Sequence, residues 1–200
     1  MRDGQWQLDV PGSTYLFGTR ETPVFNVTTP DIGDVALRVA DVDRPRGDGR
    51  NFGVDFRGGR TITFDLGVRA HTEADARSEA ELLTGLWRGD SVRYTPGSVA
   101  TLTSQYAGRQ RVVYGRPRRF AAVYGDVTVN QVVTVTADFV CVDDVFYDAD
   151  EESTLIRLVP PTGGGLLAPL AAPLATTLSS DRSMAITVVS DLPVWPVIEI

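Results

Sequence analysis

The chain has 200 residues, 42% apolar and 22% charged, with 19 glycines and 12 prolines, which suits one or two turn-rich folded domains and excludes a disordered or collagen-like polymer. Its net charge of −7, from 26 carboxylates against 19 cations that are all arginine, argues against a broad nucleic-acid footprint. A single cysteine excludes an internal disulfide and a thiolate metal centre, and the absence of an 18-residue apolar run gives no membrane span.

In chain order, the first pattern is strand, turn, strand. Trp6, Leu8 and Val10 alternate, Pro11-Gly12 breaks the run, and Tyr15-Leu16-Phe17 resumes it. A strand is expected in Thr22–Thr29. Another is expected in Asp34–Asp43, where Val35, Leu37 and Val39 read as the buried side of a half-buried strand. The glycine-rich, charged stretch from Asp43 to Gly59 reads as a loop pinned down by Phe52, Val54 and Phe56. Arg60–Leu66 is a strand, because Ile62, Phe64 and Leu66 alternate with Thr61, Thr63 and Asp65.

One helix is predicted over residues 72–88. Thr72 is its cap, Glu73 and Asp75 place negative charge where unpaired amides point, and Arg88-Gly89 supplies a cation and a stop. Ala76, Ala80, Leu83 and Trp87 recur at helical spacing, with Leu82 and Leu86 widening the stripe enough to cover a sheet face. Beyond it, Ser91–Thr103 reads as a hairpin around Pro96-Gly97, and Arg109–Tyr124 as two strands, Val112–Tyr114 and Phe120–Tyr124. Val127–Cys141 is a long strand with an expected bend near Gln131-Val132. After Asp150 the composition turns to small residues, proline, glycine and seven leucines, as in an extended arm, and Ser183–Val189 and the last residues are apolar strands.

Reactive residues are sparse. His71 is the sole histidine and falls at a strand-to-helix junction; no G-x-S-x-G elbow accompanies it. Cys141 lies on the apolar side of its strand, as a small buried hydrophobe does. The acidic group Asp138, Asp143, Asp144, Asp148, Asp150, Glu151 and Glu152 fits a solvated or partner-facing turn better than a cation site, and Asp41-x-Asp43 begins a calcium-loop pattern that Phe52 fails to complete. The basic group Arg109, Arg111, Arg116, Arg118 and Arg119, interleaved with Tyr114 and Phe120, reads as a subunit interface, the other readings being a solvated face and a phosphate-binding strip. Arg-Gly-Asp occurs at Arg46–Asp48 and Arg88–Asp90, the second explained as a helix stop. No cofactor or metal is expected. A carbohydrate-binding module would need an aromatic platform, for which Trp6, Trp87 and Trp195 are the candidates; a hydrolase would need distant acids gathered about His71.

Four stretches in this order resemble the distal tail protein family of long-tailed, non-contractile bacteriophages: RGGRTITFDLGVRA, HTEADARSEAELLTGLWRG, VVYGRPRRF with ADFVCVDDVFYDAD, and SDLPVWPVIEI. The resemblance implies a mainly β fold, a split barrel or sandwich with one packed helix, related to tail-tube proteins. It implies a β-rich domain over residues 1–152, an arm over 153–180, and in 181–200 the start of a galectin-like domain only partly represented before Ile200. It further implies a non-enzymatic virion protein at the distal end of the tail, whose copies form a hexameric ring between the tail tube protein and the tip or baseplate hub. Neither nucleic acid nor membrane is implied as a partner. In such a ring the expected interface residues are Arg109, Arg111, Arg116, Arg118, Arg119, Asp143, Asp144 and Glu151, with Arg116, Arg118 and Arg119 pairing with acidic groups such as Asp143, Asp144 or Glu151 of a neighbour.

Overall fold

Alternating apolar side chains need a second layer to cover them, and here the sheet curls to provide its own. The computed structural model describes residues 1–124 and 132–150. The chain divides into two units, Met1–Asp150 and Glu151–Ile200, so the description concerns the first. The expected arm and final strands lie outside the described residues, as does the expected bend near residue 131.

The main sheet contains β1 (Trp6–Val10), β2 (Ser13–Phe17), β3 (Val24–Asn26), β8 (Thr61–Arg69), β9 (Ala100–Tyr106), β10 (Arg109–Val123), β11 (Val132–Cys141) and β12 (Tyr147–Asp148). Its order is β2-β1-β9-β10-β11-β8-β3, with β12 added on β10. Each pairing between these strands is antiparallel. The two ends of that series meet at Gly18, whose amide donates to the Val24 carbonyl (3.0 Å) and whose carbonyl accepts from Asn26 (3.1 Å), so the sheet nearly closes into a barrel. Only glycine suits this junction: its φ is +115°, and a Cβ would lie 2.7 Å from the Gly4 carbonyl oxygen.

The inward side chains are those the alternation marked. Trp6, Leu8, Ile62, Phe64, Leu66, Val133, Val135, Ala137, Phe139 and Cys141 are buried. Phe64 is the hub of an edge-to-face aromatic cluster, 5.1 Å from Trp6, 5.3 Å from Phe17 and 6.1 Å from Trp87 between ring centres. Helix α1 (Glu73–Arg88) covers the sheet with Ala76, Ala80, Leu83 and Trp87, while Leu82, expected on the same stripe, is half exposed. Thr72 caps it by accepting from the Asp75 amide, and Gly89 ends it in the left-handed conformation, as the sequence predicts.

Several expectations are corrected. The hairpin expected over Ser91–Thr103 is replaced by a short helix, α2 (Asp90–Arg93), a turn, and then β9. The cause is local: the Gly89 carbonyl accepts from the Val92 amide (3.0 Å) and the Arg93 amide (2.8 Å), which restarts helix and buries Val92. The two strands expected in Arg109–Tyr124 are one strand with a bulge: Pro117 faces Phe139 but Phe120 faces Ala137, leaving one residue too many in β10. The extra residue reverses the strand's alternation, so Val113 and Gly115 are buried before the bulge, and Phe120 and Ala122 pack on the core after it.

The half-buried strand expected at Asp34–Asp43 and the pinned loop after it are also overturned. Residues 36–57 form a ribbon of two tiny sheets, β4 (Leu37–Arg38) with β7 (Phe56–Arg57) and β5 (Val42–Asp43) with β6 (Arg50–Asn51). Leu37, Val39, Phe52, Val54 and Phe56 are all exposed, because no other layer of the described chain covers the ribbon.

Candidate assembly surface

A run of arginines along a strand is not a patch. Arg109 and Arg111 stand at one end of β10, both exposed, with Arg111 opposite Asp148 of β12. Seven residues further on, roughly 23 Å at the rise of a strand, Arg118 and Arg119 project from the bulge. Between them, Arg116 serves its own chain: it is half-buried, and its guanidinium donates to the carbonyls of Ser98 (2.8 Å) and Thr95 (2.9 Å), fastening the turn after α2. Arg93 likewise donates to the Pro117 carbonyl (3.3 Å) beside the bulge.

The acidic turn after β11 is more closely tied than its sequence suggests. Asp144 pairs with Arg57 at 3.0 Å, its side chain only 12% exposed, and its carbonyl accepts from Arg60 at 2.5 Å. Arg60 also stacks on Phe146, 5.2 Å from the ring centre. Asp143 accepts from the Tyr147 hydroxyl (2.7 Å), and this hydrogen bond, with some burial, raises the Tyr147 pKa above its ordinary value. Glu151 lies outside the described residues. Arg57 and Arg60 were invisible as partners of the turn because more than 80 residues separate them from it.

Beside this turn is an apolar surface. Register puts Arg116 opposite Val140, so Tyr114, Arg116, Val140 and Val142 share the outer face of β10 and β11. The Val142 amide donates to the Tyr114 carbonyl (2.8 Å), and the Tyr114 and Tyr147 rings are 5.6 Å apart. All of Tyr114, Val140, Val142 and Tyr147 are partly exposed.

The residues considered for chemistry are dispersed. His71 is exposed at the β8–α1 junction. Cys141 is buried, and burial pushes its thiol up to about 11 despite the opposing charge of Arg60. Asp43 pairs with Arg50 (2.8 Å), Asp41 accepts from the Gly53 amide (3.2 Å), and Asp138 accepts from the Thr63 hydroxyl (3.0 Å). Among the described residues, no three His, Cys, Asp or Glu side chains gather where they could hold a metal ion. Trp6 and Trp87 are buried at 1% and 0%, so neither is the exposed platform a sugar would stack on; Trp195 lies outside the described residues.

No protein-family model and no curated protein matches the chain. Among solved structures, it is similar to a chain in the baseplate of phage P2 in its activated conformation with calcium, at a TM-score of 0.53 and 13% identity, over 82% of this chain and 54% of that one. The same baseplate with strontium gives identical values. It also matches the SPP1 Dit protein, described as a paradigm of the hub adsorption apparatus in phages infecting Gram-positive bacteria, at a TM-score of 0.46 and 19% identity, over 72% of this chain and 52% of that one. The chain thus spans about half the length of these structures. The P2 likeness agrees with the resemblance read from the sequence, and at 13% identity it is one of fold. The chain has the mainly β, barrel-and-helix fold of a phage baseplate chain.

Proposed function

We propose that this chain is a structural subunit of a phage tail, one copy in a ring of six that joins the tail tube to the baseplate or tip at the distal end of the virion. The observation that carries this reading is the fold shared with the P2 baseplate chain across 82% of the sequence. In this role the chain works by assembly and carries out no catalysis. One face of the ring meets the tube protein and the other the hub. Residues 1–152 are the ring-forming domain, 153–180 the arm, and 181–200 lead into a galectin-like domain.

The separation of charge supports a head-to-tail arrangement, in which unlike surfaces of successive copies meet and the ring closes by rotation. Arg118 and Arg119 project from the bulge, while the exposed acids Asp148 and Asp150 lie beyond β11 at the other end of β10, Asp144 being taken up by Arg57 of its own chain. The test is the native mass of the purified chain by light scattering or native mass spectrometry, at low and then high salt. A discrete particle of about 130 kDa, six copies of 21.7 kDa, is expected at low salt, with weaker association as salt screens the seam. A monomer at every concentration and salt would refute assembly by this chain alone.

A further inference from the structure

We propose that the outer face of β1, β9, β10 and β12 is a binding site for a neutral oligosaccharide, with Tyr114 and Tyr147 as its stacking platform. This goes beyond the ring reading and stands or falls without it.

Strand register builds this face. Gln7, Thr103, Val112 and Tyr147 stand side by side in one row across the four strands. Asp9, Thr101 and Tyr114 form the next row. Their opposite-parity neighbours Trp6, Leu8, Leu102 and Val113 fill the core, so the two rows point outward. At the spacing of adjacent strands the first row is roughly 14 Å wide, enough for a short glycan chain. The two tyrosines share one side of it, 41% and 40% exposed, with ring centres 5.6 Å apart and 53° between their planes. The buried Trp6 and Trp87 offer no stacking surface, and these tyrosines supply one instead.

The chemistry of the rows selects the ligand. Asp9 is their one charged side chain; the others are amide, hydroxyl, aromatic or aliphatic. Its carboxylate is held in place, accepting from the Gln7 side-chain amide (2.9 Å) and the Thr14 hydroxyl (2.6 Å), and the Tyr147 ring is held by its hydroxyl donating to Asp143 (2.7 Å). Groups fixed in advance lower the ordering cost of binding. Gln7 spends its amide on Asp9, which leaves its carbonyl oxygen to accept, and the Thr101 and Thr103 hydroxyls have no side-chain partner among the described residues. Thr103 is only 8% exposed, so it forms the floor of the face. A matching ligand carries hydroxyls that both donate and accept, an apolar C–H face to lie on tyrosine, and no charge, which is the chemistry of a neutral sugar chain. An anionic glycan or a phosphate finds no cation in either row and meets Asp9 and Asp143, while a purely apolar ligand would strand the amide and the hydroxyls.

The experiment titrates the full chain, by isothermal calorimetry, with neutral tetrasaccharides of glucose, mannose, galactose and N-acetylglucosamine, and with tetragalacturonate as the anionic comparison. At least one neutral chain should bind saturably with a Kd of about 1 mM or tighter, and tetragalacturonate at least about 10-fold more weakly. Tyr114→Ala and Thr103→Val should each weaken the neutral ligand by at least about 10-fold, and Leu82→Ala on the exposed helix face should leave it unchanged. The urea midpoint of each variant establishes that it is folded; should Tyr114→Ala misfold, Thr103→Val, which nearly keeps the side chain's shape, decides the question. Binding to none of the neutral chains overturns the proposal. So does binding that survives both substitutions, since the sugar is then held elsewhere, and so does a preference for tetragalacturonate. If no sugar binds and Tyr114→Ala instead turns an assembled chain into a monomer, a second copy covers the face and the proposal is wrong while the ring reading survives.

Discussion

Trp87→Phe tests whether α1 is locked to the barrel through the β10 bulge. The indole is fully buried, lies 6.1 Å from Phe64, 6.2 Å from Phe17 and 6.3 Å from Phe120, and donates from Nε1 to the Asp138 carbonyl at 3.1 Å. That carbonyl faces the bulge, because Asp138 lies between the Phe139–Pro117 and Ala137–Phe120 pairs. Phenylalanine keeps one aromatic ring but loses this hydrogen bond, about 1 kcal/mol, and leaves part of the indole volume empty, about another 1–2 kcal/mol. With a urea m-value of about 2 kcal/mol/M, a loss of about 2–3 kcal/mol lowers the unfolding midpoint by about 1–1.5 M without changing the slope. Circular dichroism against urea measures this directly. A midpoint within about 0.3 M of the unsubstituted chain would refute the claim that the indole joins helix, bulge and aromatic cluster.

Two further outcomes follow from the same geometry. Arg116→Ala removes donors to Ser98 and Thr95, so it should cost the monomer about 1–2 kcal/mol in urea unfolding, whereas Arg118→Ala, exposed at the bulge, should stay within about 0.5 kcal/mol. Equal effects would contradict the assignment of Arg116 to its own chain. Raised acid pKa values favour the folded state while those groups stay protonated, so their contribution is complete below the unfolded value and lost as pH rises through the folded one. For Cys141 that window runs from its ordinary 9.0 to about 11, and the raised Tyr15 and Tyr147 act in the same direction. Stability measured across that range should fall with pH, less steeply in Cys141→Ala; an identical slope would remove the thiol from the account.

How much the sequence disclosed depends on what each pattern physically reports. Alternation at Ile62, Phe64 and Leu66 and helical spacing at Ala76, Ala80, Leu83 and Trp87 located buried faces correctly, because each face has a second layer against it. Leu37 and Val39 show the same alternation and are exposed: a pattern records which side chains share a face, not whether anything covers it. The spacing of the arginines disclosed less. Closeness in sequence along an extended strand is distance in space, and Arg116 was drawn inward by carbonyls 18 and 21 residues before it. The ties of the acidic turn to Arg57 and Arg60 depend on tertiary folding and left no local signal.

The bulge at Arg118-Arg119 sets different rules for changing letters and changing length. Substituting either exposed arginine alters the surface and leaves the inward set untouched. Deleting one restores uninterrupted alternation and turns Phe120 and Ala122 away from the core they pack on. As far as the barrel is concerned, the side chains displayed here can be exchanged while the residue count stays fixed, so contacts made from this bulge can be varied by point substitution but not by insertion or loss.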